Sequence, residues 1–298
     1  MLKVNNVTKF YDDFKAVDNL SFTVKKGEIF GLLGVNGAGK TTTFRMIIGL
    51  LKPSNGEITF DGKPIDYNLT DSIGFLTEER SLLTKMTVRQ QCHYYGVLKG
   101  LSEKQVDERL EVLLNKFNIS SYRDKKIKEL SKGNQQKIQF ITAIINDPKL
   151  LILDEPFAGL DPLNVELFKK QIKEMAARGS IIIFSSHRME HVELFCEKII
   201  VLKDGKTVLS GVLSHIKKKY RKMNIRVKGS IDVQAIKKIE GVISVDKVGD
   251  EYKIRIMDES VSFSVFELVK ECDDVTEYVL EEPSLNEIFI DKVGETYE

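Results

Sequence analysis

The sequence predicts an α/β protein built on a parallel sheet, followed by a smaller α+β unit. Two observations carry this. The runs Ile29 to Leu33, Leu150 to Leu153 and Ser180 to Phe184 are almost wholly apolar rather than alternating, the mark of strands buried on both faces. Each is followed by residues with chemistry: the glycine-rich stretch Gly34 to Thr42, the carboxylates Asp154 and Glu155, and Ser185-Ser186-His187. Ligands collect at the carboxyl edge of such sheets.

Taken in order, residues 1–30 give short strand-like runs, Leu2 to Val7 and Val17 to Val24, broken at Asp12-Asp13 and Lys25-Lys26-Gly27. This suits a small antiparallel sheet. Tyr11 sits at one break, where an aromatic ring either packs or, beside a nucleotide, stacks on the base. Next comes Gly34-Val35-Asn36-Gly37-Ala38-Gly39-Lys40-Thr41-Thr42, between a strand and the helical spacing Phe44, Ile47, Ile48, Leu51. Glycines let backbone N–H groups turn onto an anion, the helix start adds its positive end, Lys40 reaches outer phosphates and Thr41 offers a hydroxyl to Mg²⁺.

Strands are expected at Glu57 to Phe60 and Ile73 to Leu76, the second delivering Thr77-Glu78-Glu79-Arg80 to its end. From Thr87 to Lys128 the spacing turns helical through Val88, Tyr94, Tyr95, Leu98, Val106, Leu110, Leu113, Leu114 and Phe117, with the tyrosine pair expected in the helix core. Ser131-Lys132-Gly133-Asn134-Gln135-Gln136 then opens a helix to about Ile145. A serine and a glycine at a helix start make an ordinary cap or a second anion site.

Two carboxylates after a buried strand are costly unless they meet a metal or a hydrogen-bond donor. Asp154 suits Mg²⁺ and Glu155 suits removal of a proton from attacking water. His187 follows the next strand and reaches the same edge.

The 298 residues suggest two domains, and a net charge of +1 gives no global footprint for nucleic acid. No apolar run approaches the roughly 18 residues of a membrane span, and the N-terminus has no signal-peptide apolar core, so the chain reads as cytosolic. Cys92, Cys196 and Cys272 lie far apart without a C-x-x-C pair, which argues for buried small hydrophobes over zinc or disulfides.

The expected domains are 1–212, with a helical insertion at about 84–130, a basic linker at 213–222 (Lys217-Lys218-Lys219-Tyr220-Arg221-Lys222), and a domain at 223–298. The last reads β (Met223 to Val227), α (Val233 to Ile239), β (Val242 to Val248), β (Tyr252 to Ile256), α (Phe263 to Val269) and β (Val275 to Leu280), an order that suggests a ferredoxin-like unit. A final helix begins near Pro283-Ser284.

Together these residues resemble the nucleotide-binding subunits of ABC transporters over residues 1 to about 212. By this resemblance Tyr11 is the adenine-stacking aromatic, 34–41 Walker A, Leu130 to Gln135 the signature, Leu150 to Asp154 Walker B followed by Glu155, Gly159-Leu160-Asp161 the D-loop, and His187 the switch histidine. The family implies a P-loop NTPase cassette with a RecA-like core, an antiparallel β subdomain and a helical insertion. It also implies ATP and Mg²⁺, the latter held by Thr41, Asp154 and Glu78, with Glu155 as general base and His187 on the γ-phosphate. Two cassettes would form a head-to-tail dimer, each ATP touching Walker A of one chain and Ser131 and Gly133 of the other, and the helical insertion would face a separate transmembrane permease.

The chain departs from the family at Glu78, where glutamine is usual, and at Lys132 and Asn134 in the signature. A carboxylate can still ligate Mg²⁺. The tail, with Pro-Ser-Leu-Asn-Glu-Ile-Phe from Pro283, looks like the accessory domain of the type-2 exporter ATPases of the sodium-efflux and drug-export branch, which implies dimerisation or regulation. The competing readings are a non-transport ABC ATPase acting on ribosomes or DNA, and a regulator that binds nucleotide without turnover. A single cassette without coiled-coil insertion or cysteine cluster favours the transport subunit.

Overall fold

The computed structural model describes residues 1–65, 67–79, 81–220 and 222–294, so Asp66, Arg80, Arg221 and residues 295–298 lie outside the description. The chain divides into two compact units between Ser210 and Gly211.

In the first unit, β1 (Leu2–Tyr11) and β2 (Phe14–Val24) form a hairpin, and β3 (Ile29–Gly34) leads through the glycine loop into α1 (Lys40–Ile47). After β4 (Asn55–Phe60), β5 (Lys63–Pro64) and β6 (Ile73–Leu76) come α2 (Val88–Leu98), α3 (Glu103–Lys116) and α4 (Lys132–Ile144). Then follow β7 (Leu150–Asp154), α5 (Pro162–Ala177), β8 (Ile181–Ser185), α6 (Met189–Phe195), β9 (Lys198–Lys203) and β10 (Lys206–Val212).

A six-stranded sheet runs β10-β9-β3-β8-β7-β6, and β9, β3, β8, β7 and β6 pair in parallel. Every residue of β7 and β8 is buried, which explains why their sequences are continuous apolar runs. The antiparallel sheet β2-β1-β4-β5 packs on it through a core that includes Leu2, Val24, Phe44, Ile152 and Ile183. At about 25 cal/mol per Å², such side chains contribute roughly 1.5–3 kcal/mol each on burial.

The helical insertion is held by capping boxes at Thr87 with Gln90 and at Ser102 with Gln105. On α2 the buried stripe is Val88, Gln91, Cys92 and Gly96. Tyr94 therefore points the other way and is 49% exposed, with Val97 and Leu98, which corrects the expectation of a core tyrosine pair. A period of 3.6 residues cannot bury neighbouring positions on one narrow stripe, and only Tyr95 is half-buried.

The second unit contains α7 (Leu213–Lys219), β11 (Met223–Lys228), α8 (Val233–Lys237), β12 (Val242–Val248), β13 (Glu251–Ile256), α9 (Val261–Val269), β14 (Glu277–Glu281) and α10 (Leu285–Val293). The antiparallel order β12-β13-β11-β14 with the succession βαββαβ is the ferredoxin-like arrangement. Ile225, Val227, Ile254 and Ile256 of the sheet pack with Ile236, Val265 and Val269 of the helices. The basic run falls at the end of a helix: Leu213 and Ile216, one turn apart on α7, are buried, and Lys217, Lys218 and Lys219 form its last turn.

Cys92 and Cys196 are buried free thiols, and burial pushes Cys92 up to about 12 and raises Cys196 as well. Cys272 is only half-buried, so it departs from the expected core role: it follows α9 on a surface turn.

Candidate active site

The parallel register brings the chemistry to one edge. Leu76 pairs with Leu153 and Asp154 with Ser185, so the ends of β6, β7 and β8 lie side by side, with β3 next to β8.

The glycine loop between β3 and α1 depends on backbone shapes that side chains resist. Gly34 has φ 151° and Gly39 has φ 99°. A Cβ on Gly34 would lie 2.5 Å from Leu202 O, and one on Gly39 2.6 Å from Ala16 O. Both positions thus require glycine for conformation and for space. Ala38 is buried in the core, Asn36 and Gly37 are exposed on the loop, and no side chain caps the start of α1 at Gly39. The N–H groups around Lys40, Thr41 and Thr42 are therefore oriented as an anion cradle.

Lys40 Nζ donates to Gly34 O at 2.7 Å and Val35 O at 3.1 Å, holding the amine over the loop. Burial pulls the Lys40 ammonium below its ordinary value, against the opposing fields of Asp154, Glu155 and Glu78. These four residues form one electrostatic neighbourhood.

Asp154 and Glu155 are 6% and 8% exposed. Burial raises both carboxyls. Ser185 Oγ donates to Asp154 Oδ1 at 2.5 Å and lowers it in part. Glu155 stands at φ 49°, a left-handed conformation that costs a non-glycine residue on the order of 1–3 kcal/mol. His187 N donates to its Oε1 at 2.6 Å, Ser186 Oγ to its Oε2 at 3.3 Å, and His187 Nδ1 lies 3.0 Å from Oε2. An ionised carboxylate only accepts, so Nδ1 is the donor in this pair, on a largely exposed ring. Phe157, two residues on, is buried against Phe168, Phe184, Phe195 and His191, which anchors the loop.

Tyr11 pairs with Phe14 at the tip of the β1–β2 hairpin and is 40% exposed, with Lys9 Nζ 5.7 Å from its ring centre. The same hairpin passes the glycine loop at Ala16.

Ser131 and Gly133 stand outside the cluster. Ser131 accepts from Asn134 N at 3.4 Å as the cap of α4, and the first turn of that helix is open to solvent. Asp161 caps α5, accepting from Asn164 N at 2.9 Å and Asn164 Nδ2 at 2.5 Å, and the first of these bonds holds it below the usual carboxylate range.

Over its full length the chain is 47% identical to the uncharacterized ABC transporter ATP-binding protein YhaQ of Bacillus subtilis, across 298 residues and 100% of both chains. The chain belongs to the ATP-binding proteins of ABC transporters. The ABC transporter family model matches residues 17–158, and the model for the ATP-binding protein DrrA1-3-like C-terminal domain matches residues 211–293. The ABC transporter ATP-binding protein NatA of Bacillus subtilis is 38% identical over 208 residues, 68% of this chain and 84% of its own. The dimeric post-hydrolysis structure of the ATP-binding cassette MJ0796, bound to ADP and Pi, superimposes with a TM-score of 0.66 at 26% identity, covering 72% of this chain and 99% of that one.

This ABC transporter ATP-binding protein thus carries Lys40, Asp154, Glu155 and His187 at one sheet edge, while Ser131 and Gly133 lie at a separate helix start. Sequence reading named Ser185 and Ser186 without giving them a role; the signal was two hydroxyls ending a buried strand beside one that ends in two carboxylates. For a divalent cation, Asp154, the exposed Thr41 hydroxyl and Glu78 are suitable oxygen donors, and burial raises the Asp154 carboxyl despite Ser185 and Lys40. Among the described residues no group of three or more His, Cys, Asp or Glu side chains is placed to hold a metal ion. No helix among the described residues is long and apolar enough to cross a membrane.

Proposed function

We propose that this ABC ATP-binding subunit hydrolyses ATP in a head-to-tail pair of cassettes and so powers a separate transmembrane permease, as an exporter. The observation that carries the reading is Glu155, buried, held in a left-handed conformation and bonded to His187 through both its oxygens.

Walker A, with Gly34, Asn36, Gly37, Ala38, Gly39, Lys40, Thr41 and Thr42, binds the phosphates, and Tyr11 stacks on adenine. Thr41, Asp154 and Glu78 would hold Mg²⁺, which neutralises phosphate charge when bound. Glu155, raised by burial, takes a proton from water attacking the γ-phosphate. His187 holds Glu155 through Nδ1 and turns Nε2 to the phosphate. The open start of α4 supports a site completed in trans, with Ser131 and Gly133 of one cassette closing on nucleotide bound to the other, and Asp161 fixing the turn at the dimer face. Exposed Tyr94, Val97 and Leu98 on α2 supply an apolar face for the permease, which would place the subunit on the inner face of the membrane. Export is supported by the names of two relatives, the Nod factor export ATP-binding protein I of Sinorhizobium fredii and the lipopolysaccharide export system ATP-binding protein LptB of Haemophilus influenzae, each 36% identical to this chain over 213 and 217 residues respectively.

Glu155→Gln keeps the shape and removes the base. Its Mg²⁺-ATPase rate is expected to fall by roughly 10²–10⁴, with ATP-bound protein eluting as a dimer on size exclusion. Turnover at the wild-type rate would overturn the proposal.

A further inference from the structure

Gln139 lies two turns into α4, is 4% exposed, and lines a cavity of about 270 Å³ together with Phe75, Gln91, Tyr95 and Thr142. Its amide Nε2 donates to Thr77 O at 3.0 Å, Thr77 Oγ1 at 3.3 Å and Glu79 O at 3.2 Å. Thr77 Oγ1 in turn donates to Glu79 O at 2.5 Å. Two backbone carbonyls accept only, so the orientation of the amide is fixed, and its Oε1 is left buried without a partner. A buried acceptor without a partner costs about 1–3 kcal/mol. Retaining an amide at this position therefore has a stability penalty, and what it gains is three bonds that bracket a single residue, Glu78.

The field of Glu78 reaches both Lys40 and Asp154. The loop that carries it follows β6 directly and has no regular structure of its own at 77–79, so its position depends on what grips it. The grip comes from the helix whose first turn is Ser131. Eight residues separate Ser131 from Gln139, about 12 Å along a rigid helix. The same helix reaches the loop after Glu155, where Gln136 Nε2 donates to Pro156 O at 3.3 Å.

We infer that Gln139 is a positioning residue for hydrolysis: it clamps the Thr77–Glu79 loop to the signature helix, so that Glu78 is held in place beside Asp154 and Lys40 according to where α4 stands. The inference rests on the proposed hydrolytic function and deepens it. Seating of Ser131 on nucleotide and placement of Glu78 become two ends of one lever, and neither end needs a contact with the other.

The test is a double-mutant cycle on the full chain, following Mg²⁺-ATPase turnover. Gln139→Met keeps length and volume, removes the donors and removes the unpaired acceptor. The carbonyls it releases belong to partly exposed residues that water can reach, so the fold should hold, as a melting curve checks. Gln139→Asn, shorter by one methylene, serves if the methionine variant does not fold. We expect kcat to fall about tenfold or more, since a displacement near 1 Å costs up to about 10²-fold, with KM for ATP unchanged within about twofold. In a Glu78→Ala background the same substitution should cost nothing further, because its effect passes through Glu78. A loss of equal size in both backgrounds, or a rise in KM at constant kcat, overturns the inference. Glu155→Gln in the same assay separates the two claims: if it abolishes turnover while the cycle is additive, only the positioning role of Gln139 fails, and if turnover survives it, the hydrolytic reading itself fails.

Discussion

Ser185 offers the cleanest perturbation of the site, because its hydroxyl is fully buried and has a charged partner. Its Oγ donates to Asp154 Oδ1 at 2.5 Å. Ser185→Ala removes that bond with little change in volume and leaves one oxygen of a desolvated carboxylate unpaired. The amide of Glu155, 3.4 Å from the same Oγ, retains Ser185 O at 3.3 Å, so the loss is confined to Asp154. A hydrogen bond to a charged group is worth about 1.5–3 kcal/mol. In a unit of about 200 residues each kcal/mol moves the melting temperature by about 2–4 °C, so a drop of about 3–12 °C is expected. The sign of its pH dependence follows from Asp154. Its carboxyl is raised above the unfolded value of 3.8 by burial, with Ser185 the opposing influence, so the variant raises it further. A carboxyl raised in the folded state destabilises the fold when ionised, and this penalty disappears as pH falls through the raised value. The gap in melting temperature between wild type and variant should therefore be largest where Asp154 is ionised and should shrink on acidification. Circular dichroism melts of the nucleotide-free chain across a pH series measure it. A gap that stays constant from neutral pH down to the acid limit of folding would refute the assignment of the effect to the Asp154 charge.

Two further perturbations address the nucleotide side. Gly39→Ala places a Cβ 2.6 Å from Ala16 O at φ 99°, whereas Gly37→Ala meets nothing within 4 Å at φ 80°, so both carry the conformational cost of about 1–3 kcal/mol but only the first a clash. ATP binding and melting temperature should fall much more for the first, and equal losses would show that space plays no part. Tyr11→Ala removes the exposed ring at the hairpin tip; with stacking worth about 1–3 kcal/mol the dissociation constant for ATP should rise about 5- to 150-fold in a fluorescence titration, with Tyr11→Phe near wild type.

What the sequence made legible is what local pattern determines. The buried strands β7 and β8 declare themselves because burial on both faces leaves no polar position to interrupt the run. The glycine loop is legible because φ values near 80–150° and backbone approaches under 3 Å exclude other residues at its key positions. Ser185 and Gln139 escaped for the opposite reason. Their partners, Asp154 and Thr77, are 31 and 62 residues away, and only the register of β7 with β8 and the lie of α4 bring them together. Tyr94 is exposed against expectation because aromatic content marks a helix as packed without saying which aromatics pack.

The starts of α1 and α4 differ in what constrains them. At α1, glycine is demanded by this chain's own backbone, through Ala16 O and Leu202 O. At α4, a Cβ on Gly133 would meet nothing within 4 Å, and its backbone is helical without a positive φ. Glycine in a helix costs roughly 0.5–1 kcal/mol relative to alanine, and no contact among the described residues requires it there. A surface that must be approached closely from outside does account for it, and the exposed Ser131 beside it supplies a hydroxyl for whatever approaches. This argues that the second helix start serves a ligand that the chain does not itself hold. Helix α4 begins at that open surface and reaches, through Gln136 and Gln139, the loops bearing Glu155 and Glu78. An event at one end of a single helix thus has a hydrogen-bonded route to the loops bearing the two carboxylates that the proposed hydrolysis uses.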